Sequence, residues 1–264
     1  GAPVRPRPMA SACAESDVGW PTRRVCLGVS GSVAAVKTPE LCAALLDSGV
    51  SVDLVLTEPA LKLLHSVYRG ERPWEQLSRL VDTHGRSGDH AGQPALQLFR
   101  DSDEWDAYRE VGMDAVLHVE LAKRNSLLLI APLCANTLAS CALGLCGSLL
   151  TSVVRAWYYD LDDDFARPLA ATYGGYAICK PFMVAPAMNT FMWHQRITSE
   201  HLETLRGRGV HVIPPVSKVL ACGDSGMGAM ATVSTIAEEA VRQIDSHMAA
   251  VLHAKRCGRL PFAP

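Results

Sequence analysis

Apolar and polar positions along the chain repeat with two periods, and these sort most of it into strands and helices. Arg24-Val25-Cys26-Leu27-Gly28-Val29 is a short β-rich run that passes through Ser30-Gly31-Ser32 into a helical spacing from Val33 to Asp47, closed by Gly49. Val50 to Thr57 turns apolar again, so this stretch reads as a βαβ unit with parallel strands and a right-handed crossover. Pro39, inside the helical spacing, predicts a kink or a late start. Leu127 to Ile130 and Phe182 to Val184 are further apolar runs read as buried parallel strands. Each ends in a related turn, Ala131-Pro132-Leu133-Cys134-Ala135-Asn136-Thr137 and Ala185-Pro186-Ala187-Met188-Asn189-Thr190. Helical spacing follows the first turn through Ala139, Leu143 and Leu145 and resumes from Leu149 to Trp157. After the second turn, Ser199 to Arg208 is an amphipathic helix stopped by Gly209, Val210 to Ile213 is a strand, and Thr235 to Ala250 is a closing helix. The expected fold class is α/β, a parallel sheet with helices on both faces in a single domain over residues 23–246.

Two stretches interrupt this pattern. Residues 69–97 are polar and loop-like, and residues 158–179 carry the dense acidic run Asp160-Leu161-Asp162-Asp163-Asp164; both read as loop insertions. Residues 1–22, rich in Pro, Ala and Ser, read as a disordered leader, and residues 247–264 as a tail. His84 and His90 lack ligand spacing, and the acidic run lacks the spacing of a calcium loop, so no metal site is expected.

Composition narrows the function. A chain of 264 residues with 48% hydrophobic content can bury a full core. A formal charge of −2 with no basic block argues against nucleic acid as a partner. No apolar run reaches the roughly 18–20 residues of a membrane span, and the first residues do not resemble a signal peptide, so a cytoplasmic location is expected. Nine cysteines without a Cys-x-x-Cys pair argue against zinc or a disulfide framework, and most read as small buried hydrophobes.

Candidate chemistry falls on four places. The Ser30-Gly31-Ser32 turn reads either as a plain serine cap or as an anion site at a helix start; without the dinucleotide glycine pattern, the anion would be a mononucleotide phosphate. The turn around Asn189 sits where ligands collect in open α/β sheets, an amide among thioether and aromatic groups suited to a flat ring; its other reading is an Asn-Thr helix cap. His118, between apolar neighbours, is either a core histidine or a site residue. Cys222 lies beside Gly223, with Gly226 and Gly228 close behind, which reads as a mobile loop exposing a thiol or as a glycine-rich hairpin with an incidental one.

In order, His118, Asn189 within Pro-Ala-Met-Asn-x-x-Met-Trp, and Cys222 within Ala-Cys-Gly-Asp-x-Gly-x-Gly-Ala-Met-Ala resemble the homo-oligomeric flavin-containing cysteine decarboxylases, on the side of the members that serve coenzyme A synthesis. The resemblance covers roughly residues 24–245. It implies a flavodoxin-like Rossmann fold, a homotrimer with FMN between subunits, and 4′-phospho-N-pantothenoylcysteine as substrate. The implied reaction oxidises the thiol-bearing carbon to a thioaldehyde with the flavin, releases carbon dioxide and reduces the resulting enethiol to 4′-phosphopantetheine. The implied roles are His118 as base, Asn189 on the substrate carboxylate and Cys222 as proton donor. Gly31 and Ser32 would hold the FMN phosphate with Ser30 beside them, while Thr57, Asn136, Thr137 and Met188 would border the cofactor. Met192, Ala221 and Gly223 would meet substrate, with Lys218 or Lys123 at its phosphate. Cys134 departs from the Ser or Asp usual at its position. Other members of the wider group inhibit protein phosphatases or decarboxylate peptidyl cysteine; the complete His-Asn-Cys set and short tail favour the small-molecule decarboxylase, alone or mixed with a paralogue.

Overall fold

The computed structural model describes residues 22–85, 93–106, 108–110, 114–162, 164, 179–219 and 225–256. The expected leader and most of the 158–179 segment lie outside them. Chain order runs β1 (Arg24–Val29), a 3-10 helix (Val33–Lys37), α1 (Thr38–Asp47), β2 (Ser51–Leu56), α2 (Glu58–His65), α3 (Pro73–His84), β3 (Leu96–Arg100), α4 (Asp103–Asp106), α5 (Leu117–Arg124), β4 (Leu127–Leu133), α6 (Ala135–Leu143) and α7 (Leu149–Ala156). It continues with β5 (Phe182–Pro186), α8 (Thr190–Trp193), α9 (Arg196–Gly207), β6 (His211–Val212), β7 (Val216–Val219), β8 (Ser225–Ala229) and α10 (Val233–Arg256). Pro39 takes the second position of α1, where its missing N–H is harmless, so the helix starts late, as expected.

Six strands form one parallel sheet in the order β3-β2-β1-β4-β5-β6. Alternate residues of the central strands feed opposite cores. Val25, Leu27 and Val29 of β1, Leu127 and Leu129 of β4, and Met183 and Ala185 of β5 face α1, α3 and α10. Cys26, Leu128, Ile130, Phe182 and Val184 face α5, α6, α7 and α9. Each fully buried leucine in these layers stabilises the fold by roughly 1.5–3 kcal/mol. The expected α/β class, a sheet covered on both faces, is what the chain adopts.

Two readings need correction. The stretch 69–97 is not a loop over its length: it holds α3 and leads into β3, which pairs with β2. Pro73 and Leu77 of α3 are buried and Trp74, Leu80 and Val81 pack half-buried beside them, while β3 is an edge strand with partly exposed residues. The glycine-rich stretch after residue 216 takes the hairpin alternative, β7 antiparallel to β8 and outside the main sheet. The expected tail from 247 is instead continuous with α10 as far as Arg256, with Val251 buried.

At the amino edge of the sheet a charged cluster is sealed inside. Asp53 of β2 is fully buried and accepts hydrogen bonds from Arg24 Nη1 (2.8 Å), Arg124 Nε (2.6 Å) and Asn125 Nδ2 (2.8 Å). Lys180 donates to the carbonyls of Ala122, Lys123 and Asn125, a cation closing the carboxyl end of α5. These contacts lock the ends of β1, β2, α5 and β5, leaving the opposite edge for ligands.

Candidate active site at the carboxyl edge of the sheet

The sheet reverses its order between β1 and β4, and the crevice beyond the carboxyl ends of those strands is where such sheets take ligands. Ser30, the residue after β1, is fully buried. Its Oγ donates to the Pro132 carbonyl at 2.8 Å and accepts the Cys134 amide at 2.7 Å, and its own amide also reaches Pro132, at 3.2 Å. The hydroxyl proton expected beside a phosphate is therefore engaged inside the protein, and Ser30 acts as the tie between two turns. Thr57 behaves alike: buried, its Oγ1 donates to the Val29 carbonyl at 3.1 Å.

Gly31 and Ser32 face the crevice differently. Among the described residues no carbonyl takes the amides of Gly31 or Val33, and Ser32 caps the 3-10 helix, its Oγ accepting the Ala34 amide at 3.5 Å. A Cβ at Gly31 would stand 2.6 Å from Pro59 Cβ, so only glycine lets the turn lie this close to α2. Unclaimed amides on a glycine turn suit a phosphate, and this fits an FMN phosphate. On the β4 side, Asn136 is exposed in the first turn of α6, while Thr137 is buried with its Oγ1 3.4 Å from Cys134 Sγ.

The turn after β5 is a helix cap at the carboxyl edge of the sheet. Asn189 Oδ1 accepts the Phe191 amide at 2.8 Å, which opens α8 and leaves the amide nitrogen as the donor end of the side chain. Met188 is buried, whereas Met192 and Phe191 stand out at 42% and 75% exposure. The hairpin lies on this turn. The Met188 amide donates to the Gly228 carbonyl at 2.9 Å, and a Cβ at Gly226 would come within 2.7 Å of Thr190 Cγ2. Thr190 Oγ1 is buried there without a hydrogen-bond partner among the described residues. Ala221, Cys222 and Gly223 lie outside the described residues, and of Lys218 only the strand backbone is described. Lys123 pairs with Glu120 at 3.0 Å on the surface of α5.

His118 occupies the first turn of α5, whose amino end lies at the carboxyl edge because the crossover helix runs against the strands. Its side chain is 26% exposed, and Nδ1 sits 2.5 Å from Glu104 Oε1 of α4. Sequence reasoning passed over Glu104, because an acid among acids in Asp103-Glu104-Trp105-Asp106 gives no sign of burial, yet only 8% of the residue is exposed. Free cysteines among the described residues include Cys26, Cys42 and Cys141, whose thiols burial pushes up, to about 12 for Cys42 and Cys141, so they are inert packing groups. No group of three or more metal-binding side chains occurs among the described residues.

Comparison with known proteins agrees with this geometry. A family model described as Flavoprotein matches residues 15–245. The chain is 41% identical over 213 residues to phosphopantothenoylcysteine decarboxylase of Oryza sativa subsp. japonica, covering 81% of this chain and 77% of that one. It is 37% identical over 225 residues to the Mus musculus protein of the same name, covering 85% and 88%. A solved PPC decarboxylase mutant complexed with pantothenoylaminoethenethiol superimposes with a TM-score of 0.61 at 37% identity, over 84% of this chain and 96% of that one. The FMN binding protein AtHal3 gives 0.59 at 39% identity, over 82% and 93%. The chain belongs to the Flavoprotein family.

Proposed function

We propose that the chain catalyses the FMN-dependent decarboxylation of 4′-phospho-N-pantothenoylcysteine to 4′-phosphopantetheine in coenzyme A biosynthesis. One observation carries this reading beyond the likeness to decarboxylases. The Asn189 turn and the β7–β8 hairpin, whose strands precede and follow Cys222 in the chain, are joined through Met188 and Gly228 at the edge that also holds the Gly31 turn.

FMN supplies the two-electron acceptor that lets the thiol-bearing carbon be oxidised before carbon dioxide leaves, and the hydride that is returned afterwards. The chain does the rest. The Gly31 and Val33 amides and the Ser32 hydroxyl hold the cofactor phosphate, with Met188 and the Asn136-Thr137 turn as its border. Asn189 turns its N–H donors to the substrate carboxylate, which keeps the departing group aligned. His118 takes the substrate thiol proton at Nε2, the nitrogen not facing Glu104. Cys222 returns a proton to the enethiol carbon.

The test is an absorbance spectrum of the purified chain, then anaerobic addition of 4′-phospho-N-pantothenoylcysteine with mass detection. A flavin band and the mass loss of one carbon dioxide support the reading. FMN-loaded protein that leaves the substrate intact, while a control decarboxylase converts it, overturns it.

The same proposal makes the working unit a homotrimer with sites at subunit contacts. Phe191, Met192 and Ile197 support this, since 75%, 42% and 48% of these large apolar residues are exposed around one turn. Sedimentation of the FMN-loaded chain tests it, a monomer being the contrary result. A cytoplasmic location is proposed on the unpaired state of every described cysteine; imaging of the tagged full-length protein decides it.

A further inference from the structure

Glu104 is buried on a four-residue helix just past the edge strand β3. Its position is enforced from both sides. The Asp103 carboxylate accepts the Arg100 amide at 2.8 Å, closing the turn after β3, and the Asp101 carboxylate accepts the Leu149 amide at 2.8 Å, tying that turn to the start of α7. One oxygen of Glu104 then meets His118 Nδ1 at 2.5 Å. The other, Oε2, is buried and has no hydrogen-bond partner among the described residues. Leaving a buried acceptor unsatisfied destabilises a fold by about 1–3 kcal/mol, more for a charged group. A carboxylate kept there despite that penalty calls for a role other than stability.

We infer that Glu104 is the positioning residue of the decarboxylase site: it accepts the Nδ1 proton of His118, fixes the ring and its tautomer, and leaves Nε2 as the bare nitrogen that takes the substrate thiol proton. The inference rests on the function proposed above. A neutral imidazole has one donor and one acceptor nitrogen, and the bond made by the first decides which tautomer is present. A carboxylate on Nδ1 also stabilises the imidazolium that forms once the thiol proton has moved to Nε2. The proton balance is closed: the thiol loses one proton and Nε2 gains it.

The experiment compares the FMN-loaded chain with its Glu104→Gln and Glu104→Leu variants. Ring-nitrogen NMR of 15N-histidine protein, assigned with His118→Asn, reads the tautomer directly and needs no turnover. The expected result is His118 protonated at Nδ1 in the parent chain, mixed tautomers in Glu104→Leu, and a shifted ratio in Glu104→Gln, whose equal size preserves packing if the leucine variant does not fold. In turnover both variants are expected to lose roughly a hundredfold in kcat with KM and FMN affinity within about twofold, the scale of a general-base contribution. A parent His118 protonated at Nε2, or a tautomer ratio unchanged in both variants, overturns the inference. A parent chain that shows the Nδ1 tautomer but does not decarboxylate leaves the positioning of His118 by Glu104 standing and removes the proposed substrate instead.

Discussion

The amide of Met188 donates to the carbonyl of Gly228 at 2.9 Å, and the backbone at Gly228, with φ of 131°, is one that L side chains rarely adopt. A Cβ at 228 would collide with the Met188 carbonyl oxygen as well. The hairpin can rest on the Asn189 turn only because this residue is glycine. Gly228→Ala is therefore expected to push the hairpin off the turn at about 1–3 kcal/mol of local strain. Decarboxylation should fall at least tenfold while the main unfolding transition moves little, because β8 lies outside the six-stranded sheet. Turnover and thermal denaturation on the same sample check this; an alanine variant with full activity would show that the contact is dispensable.

The glycine at the first turn answers to a different neighbour. Gly31→Ala drives a methyl to within 2.6 Å of Pro59 Cβ, and either α2 or the turn must move. FMN affinity is expected to drop by roughly tenfold, equivalent to about 1.4 kcal/mol. Fluorescence titration of the apoprotein reads the drop directly.

The sealed cluster around Asp53 predicts a stability effect without a catalytic one. Asp53→Ala leaves Arg24 and Arg124 without their carboxylate inside the protein, and Arg24 is only 1% exposed. Removing one partner of a buried pair costs about 3–5 kcal/mol. Chemical denaturation should show that loss, and the fraction still folded should keep its turnover per bound flavin.

His247 on α10 supplies a pH signature. Burial first, then the nearby Lys180 charge, pull its imidazole down to about 4 from an ordinary 6.5. The unfolded chain takes up this proton near 6.5 and the folded chain only near 4, so the unfolded state binds more protons between these values. Stability from this residue is complete above pH 6.5 and is lost as the pH falls toward 4. Melting temperatures recorded from pH 7 to 4.5 should drop less steeply in His247→Gln than in the parent chain. Parallel curves would refute the assignment.

What could be read from the chain depended on how many faces of an element are buried. β1, β2, β4 and β5 are covered on both sides, and their apolar runs announce them. β3 has one neighbour strand, and its Leu96-Gln97-Leu98-Phe99-Arg100 mixes polar and apolar residues enough to pass for loop. α3 does carry a helical apolar stripe, Trp74, Leu77, Leu80 and Val81, but the polar residues between them and the polar stretch that follows outweigh it when the segment is read as a whole. The Asn189 and Ser30-Gly31-Ser32 turns were legible as turns because strand ends and capping residues are local signals. The task of Ser30 was not, because the atoms it binds lie 102 and 104 residues further along the chain. Glu104 was hidden for a related reason: the partner that marks it, His118, lies 14 residues further on, in α5.

The hydroxyl of Ser30 joins the ends of β1 and β4 across the point where the sheet reverses, and it does so within the folded chain itself. The mouth of the crevice is thus set to width during folding, with the entropy of ordering its two rims already lost before a ligand arrives. A flavin entering such a preset slot gives up mainly its own freedom. The core that holds β1 against β4 is, in that sense, part of the affinity of a site it never touches.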